Sequence, residues 1–222
     1  MKPLQTAAAA ASCLLLYAGA APAVAEDGGL YVGASGGITL STYSQSELNK
    51  SLIEGFNNDF VVKSSTADKP SAVWWAGIGY MLGPNFGIEL SYLDLGTIKY
   101  RATGTYQTDT ATTAAVDIHS RGPALALRGV LPVLNAWSLD ARAGLYVGKT
   151  TSDYDSLVGT QSNVGSESTT AGSVLLGVGS SYNFTGHLAV RLDVLYINGI
   201  HERVLNNSFN TTLLTAGVTY AF

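Results

Sequence analysis

An all-β chain folded as an eight-stranded, antiparallel, up-and-down transmembrane β-barrel, with long extracellular loops and short periplasmic turns, is the fold class this sequence predicts. Three observations predict it. Apolar residues recur at every second position in eight separate segments, the pattern of strands with one face in an apolar medium. The connections between those segments alternate between very short and long. Only 13% of the 222 residues are charged, about half the share of a soluble domain, yet no apolar run past the N-terminal segment could form a spanning helix.

The N-terminal segment reads as an export leader. Lys2 supplies a positive start, an Ala/Leu stretch follows, and Ala23-Val24-Ala25 is a small-residue cleavage site. Residues 1–25 are therefore expected to be a cleaved signal peptide, and residues 26–222 one barrel domain. Cys13, the single cysteine, falls inside the leader, which leaves the mature domain without a disulfide or thiolate metal site. With 16 acidic against 12 basic residues, nothing points to nucleic acid.

The strands follow in order. In "LYVGASGGITL", Leu30, Val32, Ala34, Gly36, Ile38 and Leu40 share one face, with Tyr31, Ser35 and Thr39 on the other. "AVWWAGIGYML" aligns Trp74, Ala76, Ile78, Tyr80 and Leu82; "FGIELSYLDLG" aligns Phe86, Ile88, Leu90 and Tyr92 against Glu89 and Ser91. A fourth strand runs from about Ala114 to Leu131. Its phase slips near Arg121-Gly122-Pro123, which predicts a bulge there, because proline cannot donate to a ladder. The fifth, "WSLDARAGLYVG", sets Trp137, Leu139, Ala141, Ala143, Leu145 and Val147 against Asp140, Arg142 and Tyr146. Val174, Leu176, Val178 and Tyr182 mark the sixth. Leu188, Val190, Leu192, Val194 and Tyr196 mark the seventh, with Arg191 and Asp193 opposite. Leu214, Ala216, Val218, Tyr220 and Phe222 form the apolar row of the eighth.

"LGPN", "PVLN" and "NFTG" join strands two to three, four to five and six to seven as tight turns. The other connections are long and polar, such as "SDYDSLVGTQSNVGSES". That asymmetry is the one expected of periplasmic turns and extracellular loops. Tyr80, Phe86, Trp137, Tyr182, Tyr220 and Phe222 cluster beside the short turns as a periplasmic aromatic girdle, with Trp74, Tyr92 and Tyr196 at the outer ends. The first long loop, "SQSELNKSLIEGF", opens with a capping box and carries Leu48, Leu52, Ile53 and Phe56 at helical spacing, which predicts an amphipathic lid helix or partner surface.

Over the mature chain the sequence resembles the OmpA-like outer-membrane β-barrel family. The residues that carry this are "NFGIELSYLDLG", "LALRGVLPV", "SLDARAGLYV", "LAVRLDVLY" and the closing "AGVTYAF". The resemblance implies a lumen network of paired charges, here Glu89, Arg128, Asp140, Arg142, Arg191 and Asp193. It departs from the family on the sixth strand, where Ser181 stands in place of an inward glutamate, so that Asp193 or Asp140 is expected to take over that charge. The chain ends at Phe222, and the periplasmic peptidoglycan-binding domain of longer relatives is not expected here. The resemblance also implies that the C-terminal strand, with Tyr220 and Phe222, is read by the barrel-assembly machinery.

The expected role is structural and surface-interactive, in the cell outer membrane, with a lumen plugged by side chains. No cofactor, metal or catalytic residue is expected. Outer-membrane lipid and lipopolysaccharide are the expected surroundings, an extracellular ligand could meet the loops, and the chain is expected to be monomeric. Two alternatives stand beside this. One is a narrow gated pore through the charged lumen. The other is a lipid-A-modifying hydrolase built on His119-Ser120, a pair without an obvious third member. Gly33-Ala34-Ser35-Gly36-Gly37 fits a hydrolase elbow in letters but lies within a strand.

Because Phe222 sits at both the girdle and the strand that must meet the first, Phe222→Asp should block assembly. The variant is expected as a protease-sensitive periplasmic species, measured by surface protease accessibility and cell fractionation.

Overall fold

The computed structural model describes residues 28–41, 49, 50, 53, 59–67, 72–107, 110–134, 136–202 and 207–222. The expected leader lies outside the described residues, as does most of the predicted lid helix, although Asn49, Lys50 and Ile53 of that segment are helical. The chain is all-β and antiparallel. Its strands are β1 (Leu30–Ser41), β2 (Phe60–Ala67), β3 (Ala72–Met81), β4 (Phe86–Tyr106), β5 (Thr110–Pro132), β6 (Trp137–Val158), β7 (Gln161–Asn183), β8 (Leu188–Glu202) and β9 (Asn207–Ala221).

Following the ladder from β1 leads through β3, β4, β5, β6, β7, β8 and β9 and back to β1. The last strand meets the first in unbroken register from Tyr31↔Ala221 to Ser41↔Thr211, and the Phe222 N–H donates to the Leu30 carbonyl at 3.0 Å. The predicted tight turns close as read. Leu82 N–H donates to Phe86 O at 2.8 Å, Val133 N–H to Trp137 O at 2.9 Å, and Phe184 N–H to Leu188 O at 2.9 Å.

Alternation along each strand sorts the side chains into two environments. The apolar rows face outward: Leu125 is 56% exposed and Leu192 57%, whereas Glu89 on the inner face is 2% exposed. A soluble barrel would show the reverse. Trp137 packs edge-on against Tyr182 at 5.0 Å and Tyr220 against Phe222 at 5.3 Å near the short turns, while Trp74 stacks on Tyr92 at 6.1 Å toward the other end.

Three expectations need correction. First, the described residues form nine strands rather than eight. β2 falls in what reads as loop, and pairs with the far part of β4 from Tyr100 to Tyr106. Phe60 on β2 joins Tyr100, Ala102 and Ala114 in a small core, against which Ile53 packs; the Tyr100 hydroxyl donates to Asn49 Oδ1. Second, two of the long connections are ribbons of sheet. β4 and β5 pair out to Tyr106↔Thr110, and β6 and β7 pair out to Val158↔Gln161. β5 and β7 have 23 residues each, a reach of roughly 75 Å, whereas crossing a membrane takes about ten residues. The far part of β7, from Gln161 to Gly172, is exposed or half-exposed on both faces and shows no alternation, whereas β5 keeps Ala114, Val116 and Ile118 buried on one face.

Third, β5 carries no bulge at Pro123. Its burial alternates without a break from Thr112 to Arg128, and its register with β6 passes over Gly122 and Pro123 in one phase. The bulge lies on the neighbouring strand β4, where pairing shifts between Asp94↔Arg121 and Thr97↔His119. Gly96 takes φ +73° there, and its N–H donates to Asp94 Oδ1 at 2.9 Å. A residue with no Cβ absorbs the distortion at least cost.

Gly96→Ala should therefore destabilise the protein by about 1–2 kcal/mol, the cost of a left-handed backbone on an L-residue. Gly172→Ala, where an added Cβ meets nothing within 4 Å, should leave stability unchanged. Urea unfolding of both variants in lipid vesicles checks the contrast.

Candidate functional site

The inner face concentrates charge. Glu89 comes from β4, Arg128 from β5, Asp140 and Arg142 from β6, and Arg191 and Asp193 from β8. The i, i+2 spacing within β6 and within β8 puts both members of each pair inside. All six are buried, and Arg191 is only 1% exposed. Arg128 and Arg142 are direct ladder partners, an unfavourable like-charge placement that the two side chains resolve by turning to different acids.

Arg128 makes the tight contact. Its Nε and Nη2 donate to Asp140 Oδ1 at 2.8 and 2.5 Å, while Asp140 Oδ2 accepts from Ser181 Oγ at 2.8 Å. Ser181 in turn lies 2.7 Å from Ser138 Oγ. Gly179, partner of both Asp140 and Asp193, makes room for them: a Cβ there would stand 2.3 Å from Asp193 Oδ1.

Arg142, Glu89, Arg191 and Asp193 form a wider ring. Arg142 Nε faces Glu89 Oε1 and its Nη2 faces Asp193 Oδ2; Arg191 Nη1 faces Glu89 Oε2 and its Nη2 faces Asp193 Oδ1, each at 3.5 Å. Tyr31 ties the two parts together. Its hydroxyl donates to Glu89 Oε2 at 3.0 Å, and the Arg128 guanidinium sits 5.0 Å from its ring centre. Trp75 floors the ring, with Arg142 at 4.9 Å and Arg191 at 5.6 Å from its centroid, in range for cation–π attraction.

Three acids and three bases thus meet without excess charge. Arg142 Nε, Arg191 Nε and Nη1, and Trp75 Nε1 have no hydrogen-bond partner among the described residues; for Arg142 Nε and Arg191 Nη1 the 3.5 Å ion pairs to Glu89 are too poorly aligned to count. Beside them a cavity of about 10 Å³, lined by Trp75, Glu89, Ser91 and Arg142 among others, has room for about one water.

The structure brings all six sequence-predicted charges together. Sequence reasoning missed Tyr31 and Trp75, although an aromatic on the polar row of a strand is a readable signal. Tyr220 and Phe222 lie in edge-on contact at the short-turn end.

The hydrolase reading loses its pair. Neighbours on a strand face opposite ways: His119 points outward with Nε2 3.0 Å from Asp94 Oδ1, while Ser120 points inward, 3.2 Å from Tyr146 Oη and 3.1 Å from Thr150 Oγ1. Ser35 is likewise buried on the inner face. Among the described residues no group of three or more His, Cys, Asp or Glu could hold a metal ion.

An apolar exterior around a charged interior defines a protein that crosses a membrane with strands. The family model "Outer membrane protein beta-barrel domain" matches residues 9–222, and the chain belongs to that family. Its location is the outer membrane, among that membrane's lipids and on the assembly pathway such barrels share. No curated protein matches the chain. Among solved structures it is similar to Ail, the attachment invasion locus protein of Yersinia pestis, at 12% identity over 88% of this chain and 97% of that one, TM-score 0.44. The N-terminal β-barrel domain of Pseudomonas aeruginosa OprF matches at 12% identity, 88% and 99% coverage, TM-score 0.43. Neisserial surface protein A matches at 13% identity, 87% and 97% coverage, TM-score 0.43.

Glu89→Ala leaves Arg142 and Arg191 to share Asp193 alone and should cost about 3–5 kcal/mol, whereas Glu89→Ala with Arg191→Ala should recover part of the loss. Adding Arg128→Ala instead should give no recovery, since Arg128 reaches Glu89 only through Tyr31. A double-mutant cycle from unfolding in vesicles measures both couplings.

Proposed function

We propose that the chain is a closed, eight-stranded outer-membrane barrel of structural and surface-interaction role, neither catalytic nor freely conducting, in which β2 is an added strand outside the wall. One observation carries this reading: the six balanced charges, with Tyr31 and Trp75, are buried together on the inner face, and the cavity beside Glu89 and Arg142 holds only about 10 Å³. An eight-stranded barrel has an interior just wide enough for side chains, so these groups plug it. The pairing circuit from β1 back to β1 supports closure, since it satisfies the backbone groups that hydrocarbon leaves without partners. The narrower OmpA-like placement is supported by Glu89, which holds the family position on the inner face.

The surface role belongs to the ribbons. The far parts of β4–β5 and β6–β7, with β2, carry Ser, Thr, Asn and Asp on a rigid pleated frame and expose occasional apolar residues such as Val164, 71% exposed. That is the chemistry of a polar adhesive face on a monomer in lipid. A narrow gated path is the second reading, favoured by the 3.5 Å spacing and unpartnered N–H groups of the wider ring.

Planar-bilayer recording separates the two, on protein whose insertion is first checked by heat-modifiable migration. The plugged barrel predicts no unitary steps from the wild type. Regular steps that grow in Glu89→Ala would establish the gated path instead.

A further inference from the structure

The inner face carries two layers of different chemistry. β4, β6 and β8 run away from the short turns, and on each the inner row changes from charged to apolar in that direction. On β4, Glu89 is followed by Ser91, Leu93 and Leu95; on β6, Arg142 is followed by Gly144 and Tyr146. On β8, Leu195 and Ile197 follow Asp193. β5 runs the opposite way, and there Ala124 and Ala126 precede Arg128.

The apolar residues form one packed layer. Each strand from β3 to β9 gives it at least one side chain, among them Trp75, Leu93, Tyr146, Leu175, Leu195 and Leu213. Leu93, Leu195 and Leu213 are each 2% exposed. Polar groups that reach this layer are already engaged. Thr39 Oγ1 donates to the Leu95 carbonyl at 2.9 Å, and Tyr146 Oη lies 3.2 Å from Ser120 Oγ, which precedes Ala124 on β5 and so sits on the side away from the charges.

The small cavity marks the boundary between the layers. Glu89, Ser91 and Arg142 line it together with Leu93, Leu175 and Leu195. A water held there finds partners in the charged ring and none in the leucines. Space bounded by hydrocarbon stays dry, and an ion entering it must shed its hydration at high cost. Loosening the charged ring therefore extends a wet path only as far as this layer.

We propose that Leu93, Leu175, Leu195 and Leu213, packed with Trp75 and Tyr146, form an apolar seal across the lumen that bars ions independently of the charged ring. The inference rests on the closed-barrel reading above and sharpens it, with two barriers of opposite chemistry in series. The ring blocks by filling space with paired charge. The leucine layer blocks by staying dry, so opening the ring exposes a dewetted constriction and not a channel.

Planar-bilayer recording of the full chain tests this, with insertion of every variant first checked by heat-modifiable migration. Glu89→Ala with Arg191→Ala opens the ring, and this variant should give no unitary steps. Leu195 and Leu213 are direct ladder partners on β8 and β9. Adding Leu195→Ser with Leu213→Ser lines the gap with hydroxyls and should produce regular steps. Adding Leu195→Ala with Leu213→Ala makes similar room but keeps it apolar, and should leave the barrel silent. Leu213→Ser alone in the ring-open background is a milder change that should give smaller steps, and it serves if the serine pair blocks insertion. Regular steps from the ring-open variant itself, equal steps from the serine and alanine pairs, or silence from every inserted serine variant overturns the seal. Steps from the wild type contradict the plugged barrel, and the seal with it.

Discussion

A backbone N–H or C=O left unpaired in hydrocarbon costs several kcal/mol, so a sheet placed there must find a partner for its first and last strands. In this chain β9 supplies that partner to β1, in eleven consecutive pairs with no register shift. Much else follows from that seam. The ladder fixes the phase of each strand, phase decides which side chains turn inward, and the inward set must fill a confined, poorly hydrated space. Glu89, Arg142, Arg191 and Asp193 come from three strands and meet only because the ladder carries them around the wall.

The interior works by balance. Charges removed from water are costly alone, and their mutual attraction offsets the cost only when partners are well placed. The Arg128–Asp140–Ser181 contact is tight and directional, while the ring over Trp75 is wider and less aligned. Glycine at 179 gives bulky groups their volume without thickening the wall. The exterior is simpler: apolar rows through the middle, aromatics toward both ends, and polar ribbons beyond.

The apolar rows, the three tight turns and the six interior charges were legible in the sequence, because lipid on one side imposes strict alternation and parity then assigns every residue to a face. Legibility ended where lipid ends. β6 and β7 pair through "SDYDSLVGTQSNVGSES", where most side chains are exposed and no apolar row announces a strand, and β2 is a short strand whose Phe60 is buried in a small core of its own. Pro123 marked a local irregularity but not its location, since the strain went to Gly96 on the adjacent strand. Which acid each arginine chooses was also hidden, because Arg128 and Arg142 sit side by side and diverge only through side-chain geometry. Tyr31 and Trp75 were readable in principle as aromatics on polar rows.

The seam is open to direct measurement, because Cys13 is the only native cysteine and precedes β1 in the sequence. Paired residues in an antiparallel ladder have Cα atoms about 4.5–5.5 Å apart, within disulfide range. Cysteines at Ala34 and Val218, direct partners across β1 and β9, should cross-link in the folded, membrane-inserted protein. Cysteines at Ala34 and Ala216, one step out of register on the same face, should not. Cross-linking of the second pair as readily as the first, or of neither, would contradict the seam on which the interior network depends.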